Sequence, residues 1–147
     1  MNIIVVMHNI RSCQNVGAIL RTCEGFGVSQ VYFSGYTPRI DDNRVLPHLR
    51  EKLNKQIHKT ALGAEEMVYW KNSDDIFENF RGMKEQGWKL VGLENNLSDE
   101  RLISLRDKDK ISELGEKIVL VLGEEVKGIP EDVREKMDAF VEIPMNG

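Results

Sequence analysis

The sequence predicts an α/β protein built on a largely parallel sheet with helices on both faces. Two observations carry that reading. Residues 3–7 (Ile-Ile-Val-Val-Met) and 118–122 (Ile-Val-Leu-Val-Leu) are unbroken apolar runs of strand length, as expected of strands buried on both sides. Between such runs the apolar residues recur at helical spacing, so strands and helices alternate, which is the pattern of parallel crossovers.

Residues 3–7 form the first strand. Val16, Ile19, Leu20, Cys23 and Phe26 follow at i, i+3, i+4 and i+7, one face of a helix that Gly25 and Gly27 should end. Val31-Tyr32-Phe33 reads as a second strand, followed by a loop with Gly35 and Pro38. Residues 49–58 read as a charged helix, and residues 67–70 as a short strand or extended connection. Ser73 is expected to cap the next helix, with Asp74 and Asp75 in its first turn and Ile76, Phe77, Phe80 and Met83 on its buried face. Residues 89–93 and 118–122 are strands. Pro130 opens a short helix in the favoured first-turn position, and residues 139–143 form a final strand.

With 147 residues, 41% of them apolar and 30% charged, the chain fits a single domain spanning 1–147. No stretch approaches the roughly 20 apolar residues that span a bilayer. The N-terminus has no basic segment before its apolar run and no cleavage site after it, so a cytoplasmic location is expected. Cys13 and Cys23 make neither a metal pattern nor a disulfide framework and are expected to be reduced. The net charge of −4 argues against nucleic acid, yet residues 1–60 carry eight Lys/Arg against four acids. Phosphate affinity follows such local groups rather than the global sum.

Open parallel sheets bind ligands beyond the carboxyl ends of their strands, and three segments stand there. In the first, residues 8–22, polar groups crowd the start of a helix, where free N–H groups favour anions. Asn15 is either a helix cap or a ligand contact. Arg21 lies beside the small residues Gly17, Ala18 and Gly25, and is either a solvated surface group or one with room for a ligand. In the second, residues 118–130, a buried strand ends at Gly123, either an ordinary turn or a place of close ligand approach. The third, residues 141–147, opens the last strand into a Pro/Gly turn. Gly25-Phe26-Gly27 has Gln30 where a dinucleotide fingerprint needs glycine, and no phosphate-loop pattern occurs. His8, His48 and His58 have no partners at metal-ligand spacing, so no metal is expected.

In order and spacing, these segments resemble the three motifs of the SPOUT superfamily, in its SpoU (TrmH-like) branch. Asn15-Val16-Gly17-Ala18-Ile19-Leu20-Arg21-Thr22 resembles the first motif and Leu122-Gly123-Glu124-Glu125-Val126-Lys127-Gly128-Ile129 the second. Ile143-Pro144-Met145-Asn146-Gly147 resembles the start of the third, and Lys59-Thr60-Ala61-Leu62-Gly63-Ala64-Glu65 a segment of short SpoU proteins. The resemblance implies a C-terminally knotted α/β architecture, a homodimer and bound S-adenosyl-L-methionine. It implies catalytic roles for Asn15 and Arg21. The implied cofactor contacts are Leu93, Glu94, Leu122, Gly123, Glu124, Gly128, Ile143 and Met145. The implied reaction is methyl transfer to a ribose 2′-hydroxyl of tRNA or rRNA. Arg11, Arg39, Arg44, Arg50, Lys52 and Lys55 are the expected RNA contacts. In the family the third motif continues into a Ser-Leu-Asn segment and a helix. The knot-forming tail is therefore expected to be missing here and the domain to be C-terminally incomplete. Two other readings stay open: an RNA-binding or assembly protein with a defective cofactor site, and a base methyltransferase.

Overall fold

The first apolar run becomes β1 (Asn2–His8), and its side chains divide between two layers with the period-two alternation of a strand. Ile4 and Val6 face one layer and Val5 and Met7 the other. The computed structural model describes residues 1–145. The remaining strands are β2 (Gln30–Ser34), β3 (Trp70–Ser73), β4 (Lys89–Leu93), β5 (Leu102–Ser104), β6 (Lys117–Leu122) and β7 (Ala139–Glu142). They join β1 in one sheet of order β3-β2-β1-β6-β4-β7-β5, parallel at every pairing. Val5 sits between Val31 and Leu120, so the centre of the sheet is apolar along the pairing direction as well as through its thickness.

One layer holds α1 (Cys13–Gly25), α2 (Pro47–Ala61) and the short α3 (Ala64–Met67). Val16, Leu20 and Cys23 of α1 pack with Val31, Phe33, Ile57 and Ala61. The other layer is formed by α4 (Ile76–Glu85) and α6 (Glu131–Arg134), whose Ile76, Phe80, Met83 and Val133 cover Ile4, Val6, Val119 and Val121. Opposite that layer, the β6-β4-β7 half of the sheet is covered by α5 (Lys108–Ser112) through Ile111, followed by Leu114.

Several expectations need correction. Residues 67–70 are an extended connection rather than a strand of their own: Met67 ends α3, Val68 is extended, and β3 starts at Trp70, where Phe33 meets the indole edge-on at 5.5 Å. Ser73 is the last residue of β3, buried and bonded to Asn79, so the cap of α4 falls to Asp75, which accepts from the N–H groups of Phe77 and Glu78. Phe26 leaves the buried stripe because α1 ends at Gly25; past that point helical spacing no longer applies, and its ring is 85% exposed. Elements β5 and α5 were not anticipated. A three-residue, half-buried edge strand among charged residues shows no periodicity to read. It is held by Arg101, which pairs with Asp99 at 2.7 Å, donates to the Met137 carbonyl and lies 4.8 Å over the Phe140 ring.

Candidate functional site

Because every strand is parallel, the loops after β1, β4, β6 and β7 emerge at one edge of the sheet, and β6, β4 and β7 are neighbours there. The chain leaves β1 through Asn9, whose φ is +60°, and enters α1 at Ser12, whose hydroxyl accepts from the Asn15 N–H. Ser12, not Asn15, is therefore the helix cap. Asn15 is free to act across space, and its side-chain amide donates to Glu125 at 3.2 Å.

Glu125 also accepts from the backbone N–H of Arg11 at 3.0 and 3.1 Å and of Ser12 at 3.4 Å. One carboxylate thus joins the first and second motifs at the N-terminal end of a helix, where uncommitted N–H groups attract negative charge. Burial would push its pKa up, but the N–H donors of Arg11, Glu125 itself, Asn15 and Ser12 together hold it below the usual glutamate value. Glu125 was missed in the sequence, where it is one of two adjacent acids. Only the opposed loops tell which of the two faces α1.

The neighbouring Glu124 turns inward. It is buried, accepts from the Lys127 N–H at 2.6 Å and stands 3.4 Å from Arg11 Nη1. The loop then folds back on itself: Glu124 and Gly128 exchange backbone hydrogen bonds of 2.8 and 3.2 Å. A side chain at Gly123 would meet Ile129 N at 2.5 Å, so the close approach there is made by the returning loop itself. Glu94, after β4, accepts from the Ile129 N–H at 2.9 Å, and its carboxylate fills the space beside the Gly128 α-carbon. Asn95, also missed, ties the end of β4 to that of β7, donating to the Ile143 carbonyl and accepting from its N–H, both at 3.1 Å. Leu93 and Leu122 are half-buried, and Ile143 and Met145 are exposed. Asn146 and Gly147 of the third motif lie outside the described residues.

Arg21 is not brought to Asn15. Six positions along a helix leave two residues about 9 Å apart along the axis and about 120° apart around it. Arg21 lines a separate cleft of about 610 Å³ with Glu24, Gly25 and the α2–α3 turn. Gly17 sits against α2, close to the Ile57 carbonyl, and Thr60 donates to the Gln14 carbonyl at 2.8 Å.

The expected RNA-facing cations divide into two groups. Arg39 is buried, with its guanidinium on Asp74 and the Ser73 carbonyl, so it organises the β3–α4 turn rather than a surface. Arg44 grips Asp42 through two 2.9 Å bonds, and Arg50 donates to the Asp42 carbonyl. The Arg44 hydrogen bonds hold the Asp42 carboxyl below its ordinary value. Arg44 nevertheless stays exposed, as do Arg11, Lys52 and Lys55. Among the described residues no cluster of His, Cys, Asp and Glu could hold a metal ion, and no helix is long and apolar enough to cross a membrane. Cys13 and Cys23 are free thiols, and burial raises the Cys23 pKa to about 11.

Comparison with known proteins adds a family to this geometry. The chain is 29% identical over 146 residues to the 23S rRNA (guanosine-2′-O-)-methyltransferase RlmB of Nitrosomonas europaea, covering 99% of this chain and 48% of that protein. It is 28% identical over 144 residues to an uncharacterized tRNA/rRNA methyltransferase of Borreliella burgdorferi, covering 98% and 54%. The chain thus spans about half the length of these curated relatives. In fold it is similar to the SpoU methyltransferase AviRb of Streptomyces viridochromogenes, solved with AdoMet, at a TM-score of 0.76 and 17% identity over 99% of this chain and 49% of that one. The SpoU rRNA methylase model matches residues 2–147, and the chain belongs to that family.

Proposed function

We propose that the protein is an S-adenosylmethionine-dependent RNA methyltransferase acting on a ribose 2′-hydroxyl of tRNA or rRNA, and that it works as a homodimer. The observation that carries this reading is the junction of the first two motifs, where Asn15 and the start of α1 close on Glu125 beside three adjacent strand ends. The residues there fit the cofactor. Leu93, Leu122, Ile143 and Met145 offer apolar walls, and the peptide groups around Gly123 and Gly128 offer polar contacts. The carboxylates of Glu94 and Glu124 are already bonded to the loop backbone, so these two residues shape the pocket rather than reach into it.

When bound, S-adenosylmethionine supplies a methyl group activated as a sulfonium. What remains for the protein is in-line placement of a poorly acidic hydroxyl. Arg21 binds the phosphate next to the target ribose and stabilises the alkoxide that develops as the hydroxyl proton leaves to phosphate or water. An arginine cannot itself take that proton. Arg21 lies partway down α1, which runs away from the edge holding the cofactor loops, so one chain does not bring the two together. A second copy whose cofactor loops face Arg21 completes the site.

Calorimetric titration of S-adenosylhomocysteine tests the pocket, and labelled methyl transfer into tRNA and rRNA followed by nuclease digestion tests the product. About one site per protomer and nuclease-resistant 2′-O-methylated dinucleotides are expected. RNA binding without cofactor binding would favour the assembly-protein reading, and a methylated base would favour the base-modifying one. In a mixture of the inactive variants Arg21→Ala and Ile143→Asp, roughly a quarter of normal activity should return, because half the dimers are mixed and each has one intact site. No recovery would refute the shared site.

A further inference from the structure

A second cleft, of about 610 Å³, lies between α2 and the turn into β3, and it shares no residue with the Arg21 cleft or with the three motif segments. Ile40, Ile57 and Trp70 give it apolar walls. The Trp70 indole N–H donates to the Glu65 carbonyl at 3.2 Å, which fixes the ring beside that residue. One oxygen of the Glu65 carboxylate meets His58 Nδ1 at 2.5 Å, while the other is enclosed and has no hydrogen-bond partner among the described residues. An enclosed carboxylate oxygen left unpaired is costly, so the cleft has a place for a donor that the chain does not supply.

Acid runs the length of this cleft. Glu51, Asn54 and His58 follow at i, i+3 and i+7 on one face of α2, so Glu51 stands about 10 Å along the axis from His58 and its bound Glu65. Between them Asn54 holds Asp41, the two exchanging hydrogen bonds of 2.8 and 3.0 Å. Three carboxylates thus stand in a row, Glu66 adds a fourth, and only Lys55 and Lys59 oppose them. Among the described residues Asp41, Glu51, Glu66 and both lysines form no ion pair.

We infer that this cleft binds a linear aliphatic polyamine. Its protonated nitrogens donate to the row of carboxylates, and its methylene segments lie on Ile40, Ile57 and Trp70, whose ring also attracts an ammonium. Length favours a triamine over a diamine. At about 1.2 Å of reach per bond in an extended chain, outer nitrogens nine bonds apart span about 11 Å, and those of a four-carbon diamine about 6 Å. The steps from Glu51 to Asn54 and from Asn54 to His58 are about 4.5 and 6 Å, the reach of a three-carbon and a four-carbon arm. A guanidinium fits less well, because it engages a carboxylate through both oxygens, and His58 already takes one of Glu65.

The test is NMR titration of the isotopically labelled protein with spermidine, putrescine, agmatine and magnesium chloride. At about 150 mM salt, diffuse attraction to a chain of net charge −4 is screened. Spermidine should shift the amides of Asn54, His58 and Glu65 and the indole N–H of Trp70. It should bind about tenfold more tightly than putrescine or agmatine, the worth of one further charged hydrogen bond, and magnesium should not displace it. Glu65→Gln should weaken spermidine about tenfold for the same reason. Glu51→Gln changes an exposed residue, so the fold should stand while spermidine falls to the affinity of putrescine. Absence of shifts at this cleft, equal affinities for spermidine and putrescine, or tighter binding of agmatine would each overturn the proposal. Displacement by magnesium, or undiminished binding by Glu51→Gln, would do the same. The outcome is independent of S-adenosylmethionine binding, because the cleft and the cofactor loops have no residue in common.

Discussion

Helix α1 presents polar groups at two places, its N-terminal turn and the flank two turns later, and the two differ in how far the fold has satisfied them. At the first turn, Ser12, Asn15 and the Arg11 N–H are all engaged, each of them by the single carboxylate of Glu125. Just below, Gly17 is closed in by the backbone of α2. At the flank, Arg21 and Glu24 have no partner among the described residues, and Gly25 faces open space. The family motif runs through both places without distinguishing them. The difference is one of role: the upper region is organised from within, while the lower one is left for something outside the chain.

Gly17→Ala should break the upper region most severely. Its β-carbon would overlap Thr60 Oγ1 and the Ile57 carbonyl and stand 2.8 Å from Ala61 N. Two of those are backbone atoms and cannot swing away, so a loss of roughly 2–3 kcal/mol is expected in urea unfolding, despite alanine's better helix propensity. Wild-type stability would show that α2 can retreat from α1.

Glu125→Gln comes next. It keeps the shape but removes the charge that α1's free N–H groups stabilise, so a loss of about 1 kcal/mol is expected. The sign of the pH dependence follows from the lowered pKa. The carboxylate's contribution is present above the ordinary glutamate value and lost as pH falls through the depressed one. The variant should therefore differ from wild type at neutral pH and converge with it in acid.

The lower region should respond in the opposite sense. Leu62→Gly removes the left-handed strain, offset in part by glycine's greater freedom when unfolded, so a gain of up to about 1 kcal/mol is expected. The smallest effect should be at His58, exposed at the end of α2. The hydrogen bond and charge of Glu65 raise its pKa. Its contribution is present below the ordinary imidazole value of about 6.5 and fades as pH rises through the raised one. Melting at about pH 6 and about pH 8.5 should show a small difference in wild type that His58→Ala removes.

How far the site could be read in advance depends on the kind of contact. The buried stripe Val16, Leu20 and Cys23 was legible because helix periodicity is local, and the strands β1 and β6 were legible because two-sided burial leaves their inner runs, residues 3–7 and 118–122, without a polar residue. The pairing of Glu125 with Asn15 was not. It joins residues 110 positions apart, and the adjacent Glu124 carries the same chemistry in the opposite direction. Arg39 failed as a surface cation for a related reason: charge is visible in a sequence, but whether a turn folds over it is not. Strand β5 was hidden because three half-buried residues cannot express a period.

By itself, then, the sequence determined the alternation of strands and helices, the faces they bury and the motifs of the family, all of which follow from spacing within a dozen residues. The tertiary structure alone decided which of two glutamates closes on α1, which arginines are internal, and that Arg21 faces a cleft apart from Asn15. Those outcomes depend on strands distant in the chain becoming neighbours in one parallel sheet, and on a helix turn of about 100° per residue carrying side chains of one motif to different sides.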